Sequence, residues 1–185
     1  LLAPAPGNPS YLLASWLRPA GEKPRRGFQV LRAAAASCAW QVGEDGDWQR
    51  LAEKQPESYN FTQEETDEGL RVTIVWSVDG GEVRSLFLLR DDDLAVTWEV
   101  PGAWRVRAEW PLLVTDGLAN PEVSTEPAAL VLRWDGWQMR VEGQKGSRAS
   151  IALGVVANRN GLYHLGLLEA EGNSLTLRAG VNRLR

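Results

Sequence analysis

The single histidine, His164 in GLYHLGLL, is the first place to look for proton transfer. Hydrolytic triads pass a proton through an imidazole between nucleophile and leaving group. His164 alternates with Leu162, which reads as a strand residue pointing inward, and Tyr163 then faces the other side. The two do not make one acid/base pair. Carboxylates are grouped as Glu64-Glu65, Asp67-Glu68 and Asp91-Asp92-Asp93. Retaining glycosidases need two carboxyl groups about 5 to 5.5 Å apart across the scissile bond, whereas these runs fall where surface turns are expected. Asp45-Gly46-Asp47 matches the opening of a calcium loop but lacks the regular ligands and closing Glu that follow it, so no metal site is predicted. Cys38 is the only cysteine, which excludes an internal disulfide and a Cys/His zinc set; in AASCAWQV it reads as a small buried hydrophobe. There is no P-loop, dinucleotide fingerprint or GxSxG elbow, so no cofactor is implied. Asn60-Phe61-Thr62 fits the N-glycosylation pattern.

Binding chemistry is better represented. Nine Trp stand against three Phe and three Tyr, and indoles either stack on sugars or fill cores. Most of them obey strand alternation and read as core. Trp48, in the polar stretch DGDWQRL, does not, and Tyr59 and Tyr163 come next as aromatic candidates. Arg105 and Arg107 share the polar face of one strand, which reads first as a solvated face, although the two could meet carboxylates bidentately. With His164 these residues form the candidate ligand-binding set.

The formal charge is −4, but residues 128–185 carry 4 acidic and 8 basic groups against 20 and 12 before them. That asymmetry suits either an anionic ligand such as a uronic-acid polymer or a solvated basic face. The arginines are spread among strands rather than clustered, which argues against nucleic acid. No apolar run reaches the 18 or more residues of a membrane span. The opening LLAPAPGNPS lacks Met, which reads as a fragment or a processed chain and leaves the compartment open.

These residues have to be positioned by strands. In LRVTIVWSV, Leu70, Val72, Ile74, Trp76 and Val78 share one face, and after Asp79-Gly80-Gly81 the return strand EVRSLFLLR is apolar on both faces, as a central strand would be. Leu94, Val96, Trp98 and Val100 share a face, as do Trp104, Val106, Ala108 and Trp110. Across Pro101-Gly102-Ala103 a hairpin is expected, with Trp98 opposite Val106 and all these indoles in the core. LVLRWDGWQMRV reads as a two-residue Asp-Gly hairpin that sets Trp134 opposite Trp137, Leu132 opposite Met139 and Leu130 opposite Val141. Residues after Pro111 through Pro127 read as irregular, and Ile151, Leu153 and Val155 as an alternating strand.

Turn signals every 8 to 12 residues predict an all-β antiparallel sandwich of large size, with strands favoured over a short helix near the N-terminus. We expect a single domain over 1–185. Residues 1–69 are less regular, with QVLRAAAASCAWQV as strand and Glu44 to Gly69 mostly loop around one strand near Tyr59 and Phe61. Regular hairpins fill 70–185.

The segment VRSLFLLRDDDLAVTWEVPGAWRVRAEWPLLVTDG, with the LVLRWDGWQMRV hairpin after it, resembles the C-terminal β-sandwich of bacterial heparinase II/III-like polysaccharide lyases. The resemblance covers about 70 residues, from 70 to 141, and contains no diagnostic motif. It implies a sandwich that packs beside a helical toroid and helps to shape an anionic-polysaccharide cleft. In that family most of the lyase chemistry is built around the toroid, and no toroid sequence and no catalytic position match here.

Three functions follow. The first is a non-catalytic, carbohydrate-associated accessory module, secreted or periplasmic, with a poly- or oligosaccharide ligand and a partner domain in a longer chain. The second is a sugar-active enzyme, lyase-like or epimerase-like, using His164. The third is a structural or assembly domain.

Overall fold

The computed structural model describes residues 37–54, 57–79, 81–91, 93–115, 120–158 and 161–184. PSYLLASWLRP and most of the alanine-rich stretch lie outside them. The described residues form β1 (Ser37–Gln41), β2 (Trp48–Arg50), β3 (Ser58–Thr66), β4 (Gly69–Val78), β5 (Gly81–Leu89), β6 (Asp93–Glu99), β7 (Arg105–Thr115), β8 (Glu122–Glu126), β9 (Ala129–Trp134), β10 (Trp137–Gly143), β11 (Arg148–Ile151), β12 (Val156–Asn158), β13 (Gly161–Glu171) and β14 (Ser174–Arg183). Eight strands form one sheet in the order β3-β4-β5-β6-β14-β10-β9-β8. The smaller sheet runs β11-β13-β7-β1-β2, with β12 also paired to β13. All pairings are antiparallel, so the expected sandwich is the observed fold. Among the described residues no helix is long and apolar enough to cross a membrane.

Local chemistry explains the hairpins. Asp135 and Gly136 both adopt positive φ, 42° and 76°, the pair of left-handed residues that a tight hairpin turn needs. The turn fixes Trp134 opposite Trp137, Leu132 opposite Met139 and Leu130 opposite Val141, as the sequence predicts. β4 buries Val72, Ile74, Trp76 and Val78 on one face, and β5 lies between β4 and β6, in the interior position that its two apolar faces suggest.

The core fills the space between the sheets with Trp76, Trp98, Trp110, Phe87, Ile74, Leu112, Leu130 and Leu132, all 2% exposed or less. Within it Leu112 of β7 and Leu130 of β9 converge on Gly166 of β13. A Cβ there would lie 2.5 Å from one Leu130 methyl and 2.9 Å from a Leu112 methyl. Glycine is what lets the leucines of the two sheets meet.

Several expectations are overturned. β6 and β7 do not pair: β6 lies between β5 and β14, and β7 between β13 and β1. The chain turns at Val100, where the Ala103 amide donates to the Val100 carbonyl at 3.1 Å, and passes from one sheet to the other. Trp98 and Val106 are both fully buried, but in facing sheets. Period-two alternation looks the same whether two strands are neighbours or face each other across a core. Trp104, expected in the core, is 46% exposed because it falls beyond the end of β7.

β7 also continues through Pro111 to Thr115, with Val106 to Leu113 all buried. Both of its faces are covered, so alternation disappears there. The stretch up to Pro127 contains the edge strand β8. Ile151 ends β11, while Leu153 and Val155 are 104% and 52% exposed in the break before β12. In the first third, Ser37–Gln41 is a strand that buries Cys38 and Trp40, but Val42 is 56% exposed. Glu44 to Gly69 holds β2, a short 3-10 turn at Leu51–Glu53 and β3, the last spanning Tyr59 and Phe61.

Candidate functional site

The outward face of the smaller sheet carries charge in rows set by strand register. Gln41 of β1 lies between Trp48 of β2 and Arg105 of β7, which in turn faces Glu171 of β13. In the next row, Ala39 lies between Arg50 and Arg107, then come Glu169 and Arg148 of β11. Ala39 has no bulk on this face, so side chains from β2 and β7 reach each other over it. The Arg107 guanidinium lies 4.1 Å from the Trp48 ring centroid. Its Nη2 donates to Glu109 Oε1 at 3.0 Å, and the same oxygen accepts from Arg50 Nε at 2.9 Å. Arg107 Nη1 lies 3.7 Å from Glu169 Oε1.

This cluster corrects two expectations. Trp48 sits in β2 rather than in a loop, half-buried, and its ring stacks against a cation instead of standing free. Arg107 is only 9% exposed and shared between carboxylates, so it is not part of a solvated strand face. A desolvated cation over an indole contributes about 2 kcal/mol. Among the described residues its Nε has no hydrogen-bond partner.

Beside the cluster opens a hollow of about 320 Å³ lined by Arg105, Gln144, Lys145, Gly146, Arg148, Glu169, Ala170 and Glu171. It lies where three crossovers between the sheets come together. The Gly172 amide donates to the Trp104 carbonyl at 2.7 Å and the Val100 amide to Asn173 at 2.8 Å. The Gln144 side chain braces the third crossover against β14, accepting from the Thr176 amide at 2.8 Å and donating to the Ser174 carbonyl at 3.3 Å. Ser147 Oγ donates to the Gln144 carbonyl at 2.6 Å. The loop bearing Lys145 is therefore tied down from both sides. Arg105, Lys145 and Arg148 form no ion pair among the described residues, whereas Glu169 is engaged by Arg107. Trp104, next to Arg105 in the chain, exposes its indole at the same end of the sandwich.

The other predicted residues are elsewhere. Tyr59, half-buried in β3, meets Trp76 with ring centroids 5.4 Å apart. Tyr163 is 1% exposed and packs with Leu113 on the outward face. His164, expected to point inward, is instead partly exposed while Tyr163 beside it is buried, and its Nδ1 lies 3.0 Å from the Gly154 carbonyl oxygen. His164 and Glu171 are seven residues apart along β13, roughly 23 Å at strand rise. The structure thus brings Trp48, Arg105 and Arg107 to one end of the sheet and leaves Tyr59, Tyr163 and His164 away from it.

Among the described residues no group of three or more His, Cys, Asp or Glu side chains is placed to hold a metal ion. Cys38 is fully buried, and desolvation pushes its thiol pKa far up, which removes it as a nucleophile. Sequence reading missed Trp104, Lys145, Arg148, Glu169 and Glu171. The signal for two of them was the link EGQKGSR, with two basic residues flanking Gly146-Ser147 between strands.

No family model matches this chain, and no curated protein matches it either. Solved structures do. The α-N-acetylgalactosaminidase NagBb from Bifidobacterium bifidum, in its GalNAc complex, is similar over 80% of this chain with a TM-score of 0.51 and 13% identity. The ligand-free form of the same enzyme is similar over 78% with a TM-score of 0.55 and 13% identity. The likeness is one of fold. This chain spans 30% of the length of that protein in both cases.

Proposed function

We propose that this chain is a non-catalytic, carbohydrate-associated β-sandwich that serves as an accessory domain of a polysaccharide-degrading protein working outside the cytoplasm. The observation that carries the proposal is an exposed indole, Trp104, at the sandwich end that also holds a braced polar hollow of about 320 Å³. Sugar sites join a flat apolar surface to a few fixed polar groups, and ordering these groups in advance lowers the entropic cost of binding. The fold likeness to part of a glycosidase supports the same reading, as does the resemblance of residues 70–141 to lyase sandwiches. His164, tied to a backbone carbonyl and roughly 23 Å from the hollow, has no part in it.

The test is retention in affinity electrophoresis through acidic and neutral polysaccharides, followed by titration with oligosaccharides. Retention by at least one polymer, weakened severalfold by Trp104→Ala, is expected. No binding at millimolar ligand overturns the proposal.

A further inference from the structure

We infer that the hollow is an anion site built by this chain alone, and that Arg105, Lys145 and Arg148 hold the carboxylate or sulfate group of an acidic sugar there. The inference rests on the carbohydrate reading above and names its ligand class.

Most arginines on the described sheet faces already have carboxylate partners: Arg71 with Glu64, Arg84 with Glu99, Arg90 and Arg178 with Asp93, and Arg140 with Glu126. Arg105, Lys145 and Arg148 do not, although they come from three separate elements and line one hollow. Two carboxylates also face it. Glu169 is drawn toward Arg107 at 3.7 Å, and Glu171 stands opposite Arg105 across the strand pair without closing an ion pair. Three cations against one uncommitted carboxylate leave a local positive excess in a chain whose formal charge is −4. Two guanidinium forks match the planar oxygens of a carboxylate or the tetrahedral oxygens of a sulfate. The Gln144 and Ser147 bonds fix the loop that carries the third cation. Trp104, just before Arg105, exposes its indole at the same end of the sandwich without lining the hollow.

The experiment runs the 185-residue chain through gels containing polygalacturonate, dextran sulfate or neutral dextran. Because the whole chain is negative, retention by a polyanion reports a local patch. Retardation in one or both acidic gels is expected. Polygalacturonate alone would identify a carboxylate ligand, and dextran sulfate alone a sulfate ligand. The double variant Arg105→Ala/Arg148→Ala should lose at least tenfold in affinity, and Lys145→Ala several-fold. A control with the same charge change, Arg71→Ala/Arg84→Ala on the larger sheet, should stay within twofold. Circular dichroism checks that each variant is folded. Equal loss in both doubles, or no loss in the first, overturns the anion site. Retention in neutral dextran alone overturns it too but leaves the carbohydrate reading standing, and retention in no gel defeats both.

Discussion

Two hollows on this molecule have similar linings and differ in what their charges are doing. The first, at the crossover end, holds Arg105, Lys145 and Arg148 with no ion-pair partners among the described residues. The second, about 230 Å³ on the outward face of the larger sheet, is lined by Asp93, Arg140, Glu142, Arg178, Gly180 and Asn182. There Arg178 and Arg90 both bind Asp93, and Arg140 reaches Glu126 at 2.6 Å and Glu142 at 3.4 Å. Gly180, flanked by Arg140 and Asp93 in register, leaves the floor open. Counting charged residues makes the two look alike. Pairing separates them, because a charge already neutralised within the chain offers a ligand little, while an uncommitted one is free to bind it.

The largest expected effect follows from the paired hollow. Asp93 is 7% exposed and accepts from two arginines, so Asp93→Ala should cost about 2 to 3 kcal/mol in urea unfolding, as charged buried hydrogen bonds do. Glu171→Ala in the first hollow should leave the urea midpoint unchanged, and equal losses at the two sites would erase the distinction. Arg107→Ala should cost about 1 to 3 kcal/mol, since it withdraws a partner from buried Glu109 and uncovers the Trp48 ring. Arg107→Lys should recover little of that, because an ammonium cannot lie flat on the indole while donating to Glu109; tryptophan fluorescence and urea midpoints report both.

A core reference should be common to all variants. Burial holds the Cys38 thiol well above its ordinary pKa, so the folded state keeps a proton that the unfolded state releases. Stability from this source is complete below the unfolded value, about pH 8.5, and then declines by about 1.4 kcal/mol per pH unit. Asp93→Ala and the Arg105/Arg148 double variant should decline in parallel with the parent. A Cys38→Ala protein that keeps the same alkaline slope would remove the thiol as the cause. The smallest effect sharpens the first hollow. Glu171→Gln removes its one uncommitted carboxylate and should raise affinity for an acidic oligosaccharide two- to threefold by titration calorimetry, whereas an unchanged or lower affinity would show that Glu171 does not oppose the ligand.

The contrast between the hollows also marks what a sequence can disclose. The hairpin at Asp135-Gly136 was legible to the residue, because two-residue turns fix register and alternation fixes the buried side. The face of β4 was legible for the same reason. Partnership between strands was not. Val100 to Val106 satisfies a hairpin and a sheet crossover equally well, and only the crossover exposes Trp104. Of the candidate site, Arg105 was visible as a polar-face residue. Its neighbours Lys145, Arg148, Glu169 and Glu171 arrive from a loop and two strands about 40 or more residues later in the sequence, and whether a given arginine is paired depends on cross-strand geometry that no local pattern encodes.

The strand order has a further consequence for how the molecule comes to exist. β14 lies between β6 and β10, so Thr97 and Thr176, 79 positions apart, join hydroxyls at 2.8 Å in the interior of the larger sheet. β7 is likewise enclosed by β1, made well before it, and β13, made well after. During synthesis, therefore, β6 and β10 must wait with unpaired edges until β14 leaves the ribosome, and loop closure over such separations slows folding. A nick in the exposed 153–155 segment should yield two pieces that stay interleaved, and shortening the chain by β14 would open the larger sheet at its middle rather than trim its rim.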